Sequence, residues 1–295
     1  MLKRPLSYTD QIKQLKSHGM IIEDETIAQD FLKVTNYYRF TGYALQFRKA
    51  PNNSDFIEGT SFDAVMSLYC FDEELRDCLR KYIETAEVYY KTVISHEFSM
   101  AKCIEPPYEQ HYNENNYYNK QWFKGLKDHF DKEKSYYKDS LILKHHKSKY
   151  AGKMPLWVIT EIMSLSDVSK LYSCMYYSEQ QTISNVVGTN TKTLKNHLHC
   201  ISVLRNKCAH VARLYNTTFY PAVSLSSNFL RKYVNVSNDT LFAYLIALIK
   251  RLPYDNQKIE LVNEVKRIIE KYSEEIELSC IGFTEDWETI LKNQI

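Results

Sequence analysis

Glycine and proline are scarce in this chain: seven of each among 295 residues, roughly 5% together where ~12% is usual. Hairpins, barrels and doubly wound sheets depend on those two residues for their tight connections. The shortage therefore disfavours sheet-rich architectures and predicts a mostly helical, all-α protein. Long apolar runs are missing as well. The longest, Leu241–Ile249, falls far short of the ~20 residues that a membrane span requires. The opening Met1-Leu2-Lys3-Arg4-Pro5 lacks the apolar stretch of a secretory signal, and the expectation is a cytoplasmic protein without a membrane partner. Cysteine is present without organisation. Its seven positions, 70, 78, 103, 174, 200, 208 and 280, are odd in number and contain no C-x-x-C pair. Neither a disulfide framework nor a zinc site is predicted, and no metal or other cofactor is expected.

What is there suffices for a packed core: 44% apolar residues against 25% charged. The net charge of +2 is unevenly spread. Residues 119–153 hold ten lysines and four acids, whereas 255–295 hold five bases and ten acids. The basic stretch, with Lys144, Lys147 and Lys149, is interleaved with Trp122, Phe123, Tyr136, Tyr137, His145, His146 and Tyr150. Such a mixture can attract a polyanion and stack its bases, and it can equally be a solvated linker or exposed helix face.

Start and stop signals place the helices. Thr9 is expected to cap a first helix and Asp24 a second, followed by an aromatic cluster at Asn36–Tyr43. Together they form a small helical cap over residues 1–55. A long helix is predicted from Thr60 to about Ala101, with apolar residues at helical spacing. A polar, basic insertion then occupies about 104–153, with one helix from Lys120 to Lys134. Further helices are expected at 155–177, from Thr191 into 204–212, at Asp239–Arg251 and at about Gln257–Tyr272.

Chemistry concentrates in Leu204-Arg205-Asn206-Lys207-Cys208-Ala209-His210-Val211-Ala212-Arg213-Leu214-Tyr215-Asn216. Arg205 and His210 match the R-x4-6-H signature of HEPN domains. The fuller string resembles the Abi-like family of bacterial abortive-infection proteins, of the AbiD/AbiF type. Three further segments agree in order: Asn36–Tyr43, the helix of Asp72, Leu75, Arg76, Ile83 and Glu84, and Pro155-Leu156-Trp157 leading to Leu165–Tyr172. Gly282–Trp287 resembles the family's end. Val211 departs from the pattern, which often has a second histidine there, so no role for a second imidazole carries over.

The resemblance implies a HEPN-type helical bundle over 56–295 and metal-independent cleavage of RNA, commonly by a homodimer whose two motifs meet. It also implies restraint of that activity by an RNA or protein antitoxin, or by infection. The residue types suit the chemistry. RNA supplies its own nucleophile, so a catalyst has to take the 2′-hydroxyl proton, stabilise charge on phosphorus and protonate the departing 5′ oxygen. His210 suits the proton transfer and Arg205 the phosphate oxygens. Asn206 shares a face with His210, four residues on, and is read as a third catalytic residue whose amide can hydrogen-bond the imidazole or a phosphate oxygen, whereas Arg205 lies about 140° around the helix from His210. Leu198, Ile201, Leu204 and Cys208 form the stripe that faces inward.

Lys207, Arg213, Tyr215 and Asn216 are read as RNA contacts or supports of the site. For Arg213, Tyr215 and Asn216 an ion pair and a core tyrosine are an equal alternative. His197 and His199 point to different sides of a helix and are read as surface or loosely packed residues. Two other functions stay open: a non-cleaving RNA-binding protein that holds a regulatory small RNA, and a purely structural scaffold.

Overall fold

A computed structural model describes residues 4–295. Met1, Leu2 and Lys3, part of the segment read above as lacking a signal, lie outside the described residues. Among the described residues there are fourteen α-helices and no β-strand. They are α1 (Tyr8–Ser17), α2 (Glu25–Thr35), α3 (Tyr37–Tyr43), α4 (Phe62–Lys102), α5 (Lys120–Tyr136), α6 (Leu141–Tyr150), α7 (Leu156–Ile162) and α8 (Leu165–Cys174), then α9 (Tyr177–Val186), α10 (Thr191–Ala209), α11 (Ser227–Lys232), α12 (Leu241–Arg251), α13 (Asp255–Lys271) and α14 (Trp287–Lys292). No helix among these residues is long and apolar enough to cross a membrane.

The chain divides into two compact units, one of Met1–Leu75 with Val265–Glu277, the other of Arg76–Glu264 with Leu278–Ile295. In the first, Phe31 meets Phe40, Phe62 and Tyr69 edge-on, and Phe40 stacks on Phe62 at 4.3 Å. Beside them the Tyr43 hydroxyl donates to the buried Asp72 carboxylate at 2.6 Å. The cap of α1 is Ser7, whose Oγ accepts from Asp10 N, and not Thr9, which lies within the helix. Asp24 caps α2 as expected, accepting from Thr26 N and Ile27 N.

The second unit contains the candidate site. At its centre lies α12, in which every residue from Leu241 to Ile249 is buried. The longest apolar run of the sequence is thus a core helix, packed against α10. A second buried cluster gathers Tyr90, Ile94, Phe98, Tyr117, Phe123 and Leu198. The Tyr117 ring stacks between Phe98 and Phe123, at 5.2 and 3.7 Å.

Two expectations change here. The single helix predicted over 155–177 is broken in two, because Met163 is extended (ψ 143°) and Ser164 with Asp167 forms a capping box that restarts the chain as α8. The insertion carries two helices instead of one. Ser140 caps α6, its Oγ accepting from Leu143 N at 3.4 Å.

Candidate functional site

The site is built at the end of α10. Asn190 starts this helix by accepting from Thr193 N. Leu198, Ile201, Leu204 and Cys208, the predicted inward stripe, are all buried. With that face fixed, Arg205, Asn206 and Lys207 come to the half-buried flank and His210 to the exposed end. The segment after the motif is fastened back along α10. Asn196 Nδ2 donates to Ala222 O at 2.9 Å and its Oδ1 accepts from Ser224 N at 2.6 Å, while His197 Nε2 lies 3.1 Å from Ser224 O.

The helix stops at Ala209, and His210 is its C-cap. Val211 N donates to Cys208 O and Ala212 N to Lys207 O, at 3.2 and 2.8 Å, the paired bonds of a Schellman turn. The turn needs a left-handed residue, and Val211 fills that place at φ +53°. For a β-branched side chain this is a strained conformation. The turn throws His210 outward, and its imidazole makes no hydrogen bond among the described residues. The buried Arg76 braces the exit, with Nη1 3.5 Å from Ala212 O.

Arg205 Nε lies 3.4 Å from Glu87 Oε2 on α4, and Lys91 Nζ lies 3.0 Å from the other oxygen of that carboxylate. The Glu87 side chain is 13% exposed and that of Arg205 38%. Glu87 thus holds the Nε side of the guanidinium. The two terminal nitrogens of Arg205 make no hydrogen bond among the described residues, and they are the pair suited to a bidentate oxyanion contact. Asn206 Nδ2 donates to Ser166 Oγ on α8 at 3.2 Å. Its amide is therefore tied to α8, and the bond between residues 206 and 210 is the main-chain one, His210 N to Asn206 O at 2.9 Å.

Next to Ser166, Asp167 uses one oxygen for the Ser164 cap and places the other 3.4 Å from His129 Nδ1 on α5. An imidazole on α5 thus stands against the buried Asp167 carboxylate. Among the described residues no group of three or more His, Cys, Asp or Glu side chains could hold a metal ion.

Not every predicted site residue faces solvent. Tyr215 is 1% exposed and belongs to the core, so its reading as an RNA contact gives way to the core-tyrosine alternative. Arg213 is half-buried and Asn216 is exposed at φ +47°. Lys207 lies with Nζ 5.0 Å from the centre of the buried Phe219 ring. Lys144, Lys147 and Lys149 are exposed on α6. His197 is buried, at 1% exposure, and not loosely packed. Burial, and then the Arg251 charge, push its pKa down to about 4. Glu87 and Arg76 were missed as partners of the motif. Ser166 had one signal, its place in the Leu165–Tyr172 string.

The family model described as Abi-like protein matches residues 30–216, well over half of the chain and the whole of the motif. The chain belongs to the Abi-like family. Membership suggests a part in abortive-infection defence. Neither a curated protein nor a solved structure matches the chain.

Proposed function

We propose that this Abi-like protein is a metal-independent endoribonuclease of the HEPN type, cleaving single-stranded RNA by attack of the 2′-hydroxyl on the adjacent phosphate. The observation that carries this reading is that the exposed His210 imidazole and the terminal nitrogens of the part-exposed Arg205, none of them hydrogen-bonded among the described residues, both belong to the last turns and cap of α10. His210 would take the 2′-hydroxyl proton, and Arg205 would hold the non-bridging oxygens as charge builds on phosphorus. The products would be a 2′,3′-cyclic phosphate and a 5′-hydroxyl. Asn206, moored to Ser166, would act as a positioning residue that fixes the rotation of the last helical turn.

One Arg/His set provides a base and an oxyanion clamp but no separate acid. A homodimer that brings two sets to one phosphodiester would supply the acid. Free cleavage would harm the host, so an RNA or protein antitoxin is part of the proposal.

The test is incubation of purified protein with end-labelled RNA in EDTA. Cleavage to the cyclic-phosphate product that disappears in His210→Ala and in Arg205→Ala is the expected outcome, with a native mass of two chains. Full cleavage by His210→Ala refutes the assignment. A second reading, a protein that grips a regulatory small RNA without cutting it, is favoured by the single Arg/His set of one chain, which has no separate acid. Intact RNA that co-purifies with the protein and survives incubation would select it.

A further inference from the structure

Beside α6 and the start of α7 the surface opens into a cavity of about 590 Å³, within the ~300–1,000 Å³ of small-molecule sites. Its walls carry the rings of Tyr108, Tyr150 and Trp157, with His145, His146 and Lys153. These aromatics are poorly buried for residues of their size: Tyr108 is 57% exposed, Trp157 55% and Tyr150 49%. Trp157 stays outside although its helix neighbours Leu156 and Ile159 are buried. Tyr108 takes a left-handed backbone conformation, φ +61°, which aromatic residues rarely adopt. The conformation is fixed by Tyr108 N donating to Glu105 O at 2.9 Å, and the ring is left open to solvent rather than packed.

The surrounding charge has one dominant sign. Helix α6 bears Lys144, Lys147 and Lys149 and no acidic residue; Lys144 Nζ lies 3.5 Å from Asp139 just before the helix, and Lys149 Nζ lies 5.6 Å from the centre of the Tyr150 ring. The one carboxylate of the cavity wall, Glu109, is engaged by Lys153 at 2.5 Å. His146 lies with Nδ1 2.9 Å from the Ile142 carbonyl, a contact that only a donating nitrogen can make favourably. In the neutral ring this leaves Nε2 as an acceptor for a base amino group. Open π-faces in a concavity edged by cations are what an unpaired base and its phosphates require.

We propose that this cavity is a nucleobase-stacking subsite for single-stranded RNA, in which Trp157 and Tyr108 take up an unpaired base and the α6 lysines hold the flanking phosphates. The assignment rests on the RNA reading above and adds to it where the strand is held away from the Arg205/His210 end.

The test uses the full-length chain carrying His210→Ala, in EDTA, with short fluorescein-labelled oligoadenylate and oligouridylate as probes. Trp157→Ala and Tyr108→Ala should each weaken binding about 5- to 150-fold, the ratio equivalent to about 1–3 kcal/mol of base–aromatic stacking. Trp157→Phe should recover most of the loss. The dependence on salt should keep its slope in the aromatic variants and flatten in a Lys147→Gln, Lys149→Gln variant, because only the latter loses phosphate contacts. Unchanged circular dichroism checks that these exposed positions do not disturb the fold. Binding that is indifferent to both aromatic substitutions overturns the subsite and leaves the nuclease reading standing. Binding that depends on Trp157, in a protein whose unsubstituted form cuts no RNA, overturns the nuclease reading and keeps the subsite. A protein that binds neither probe overturns both.

Discussion

His197 should make the stability of the unit that holds the motif depend on pH. The ring is 1% exposed on α10, faces Ser224 O at 3.1 Å through Nε2, and lies near the Arg251 charge. A carbonyl can only accept, so Nε2 carries the proton, and protonating Nδ1 would bury a second cation. The folded pKa is pushed down to about 4, against about 6.5 for an unfolded histidine. The folded state thus resists a proton that the unfolded chain takes readily. Stability from this group is complete above about pH 6.5, falls as pH drops from there towards about 4, and is level below. The loss approaches about 3 kcal/mol in full and is about 2 kcal/mol near pH 5. Urea unfolding near pH 7.5 and near pH 5, compared between the unsubstituted chain and His197→Gln, measures it. Glutamine keeps a donor for Ser224 O without titrating. The variant should lose about 2 kcal/mol less than the parent between the two pH values. Equal losses in both would show that the imidazole is already charged in the folded protein, or not buried, and would refute this reasoning.

Glu87→Gln removes the carboxylate that faces Arg205 Nε; it should tighten RNA binding a few-fold at low salt, at a stability loss of about 1 kcal/mol, read by titration and urea unfolding. Val211→Gly relieves a β-branched residue held at φ +53° and should raise the unfolding free energy by about 1 kcal/mol while His210-dependent cleavage is retained. Gly282 has φ +78°, and a Cβ there would stand 2.3 Å from Thr240 Cβ; Gly282→Ala should therefore lose about 2–5 kcal/mol in a denaturation curve.

The parts of this protein that were legible in its sequence are those encoded locally. Leu198, Ile201, Leu204 and Cys208 announce both a helix and its buried side, and all four are buried. The apolar run of α12 likewise becomes a buried helix. Helix α6 was not legible because Leu141, Ile142 and Leu143 are consecutive and only Leu143 is buried, which leaves no helical period to detect. Helix α9 has the same difficulty, its one buried aliphatic being Ile183. The break between α7 and α8 was written in Ser164 and Asp167, but a continuous apolar pattern across 155–177 hid it. The grouping of Val265–Glu277 with Met1–Leu75 is set by packing between segments remote in sequence, and no local pattern contains it.

The motif itself shows the same division, and it bears on function. Residues 205–210 identify a guanidinium and an imidazole without revealing that Glu87, more than a hundred positions earlier, lies against one of them. That contact has two opposite consequences. It holds the guanidinium in place for the charge that builds on phosphorus in the transition state, and it lowers the net charge that attracts the phosphate in the first place. Because Glu87 meets Nε and the two terminal nitrogens make no hydrogen bond among the described residues, the guanidinium can be held on one side and still contact a phosphate through the other. Lys91, sharing the same carboxylate at 3.0 Å, returns a positive charge to the neighbourhood. If fixing the arginine matters more, Glu87→Gln will bind RNA more tightly yet cut it more slowly, since affinity gains from charge while the transition state loses a held guanidinium. If both binding and cleavage rise together, Glu87 is a brake on the site rather than part of its machinery.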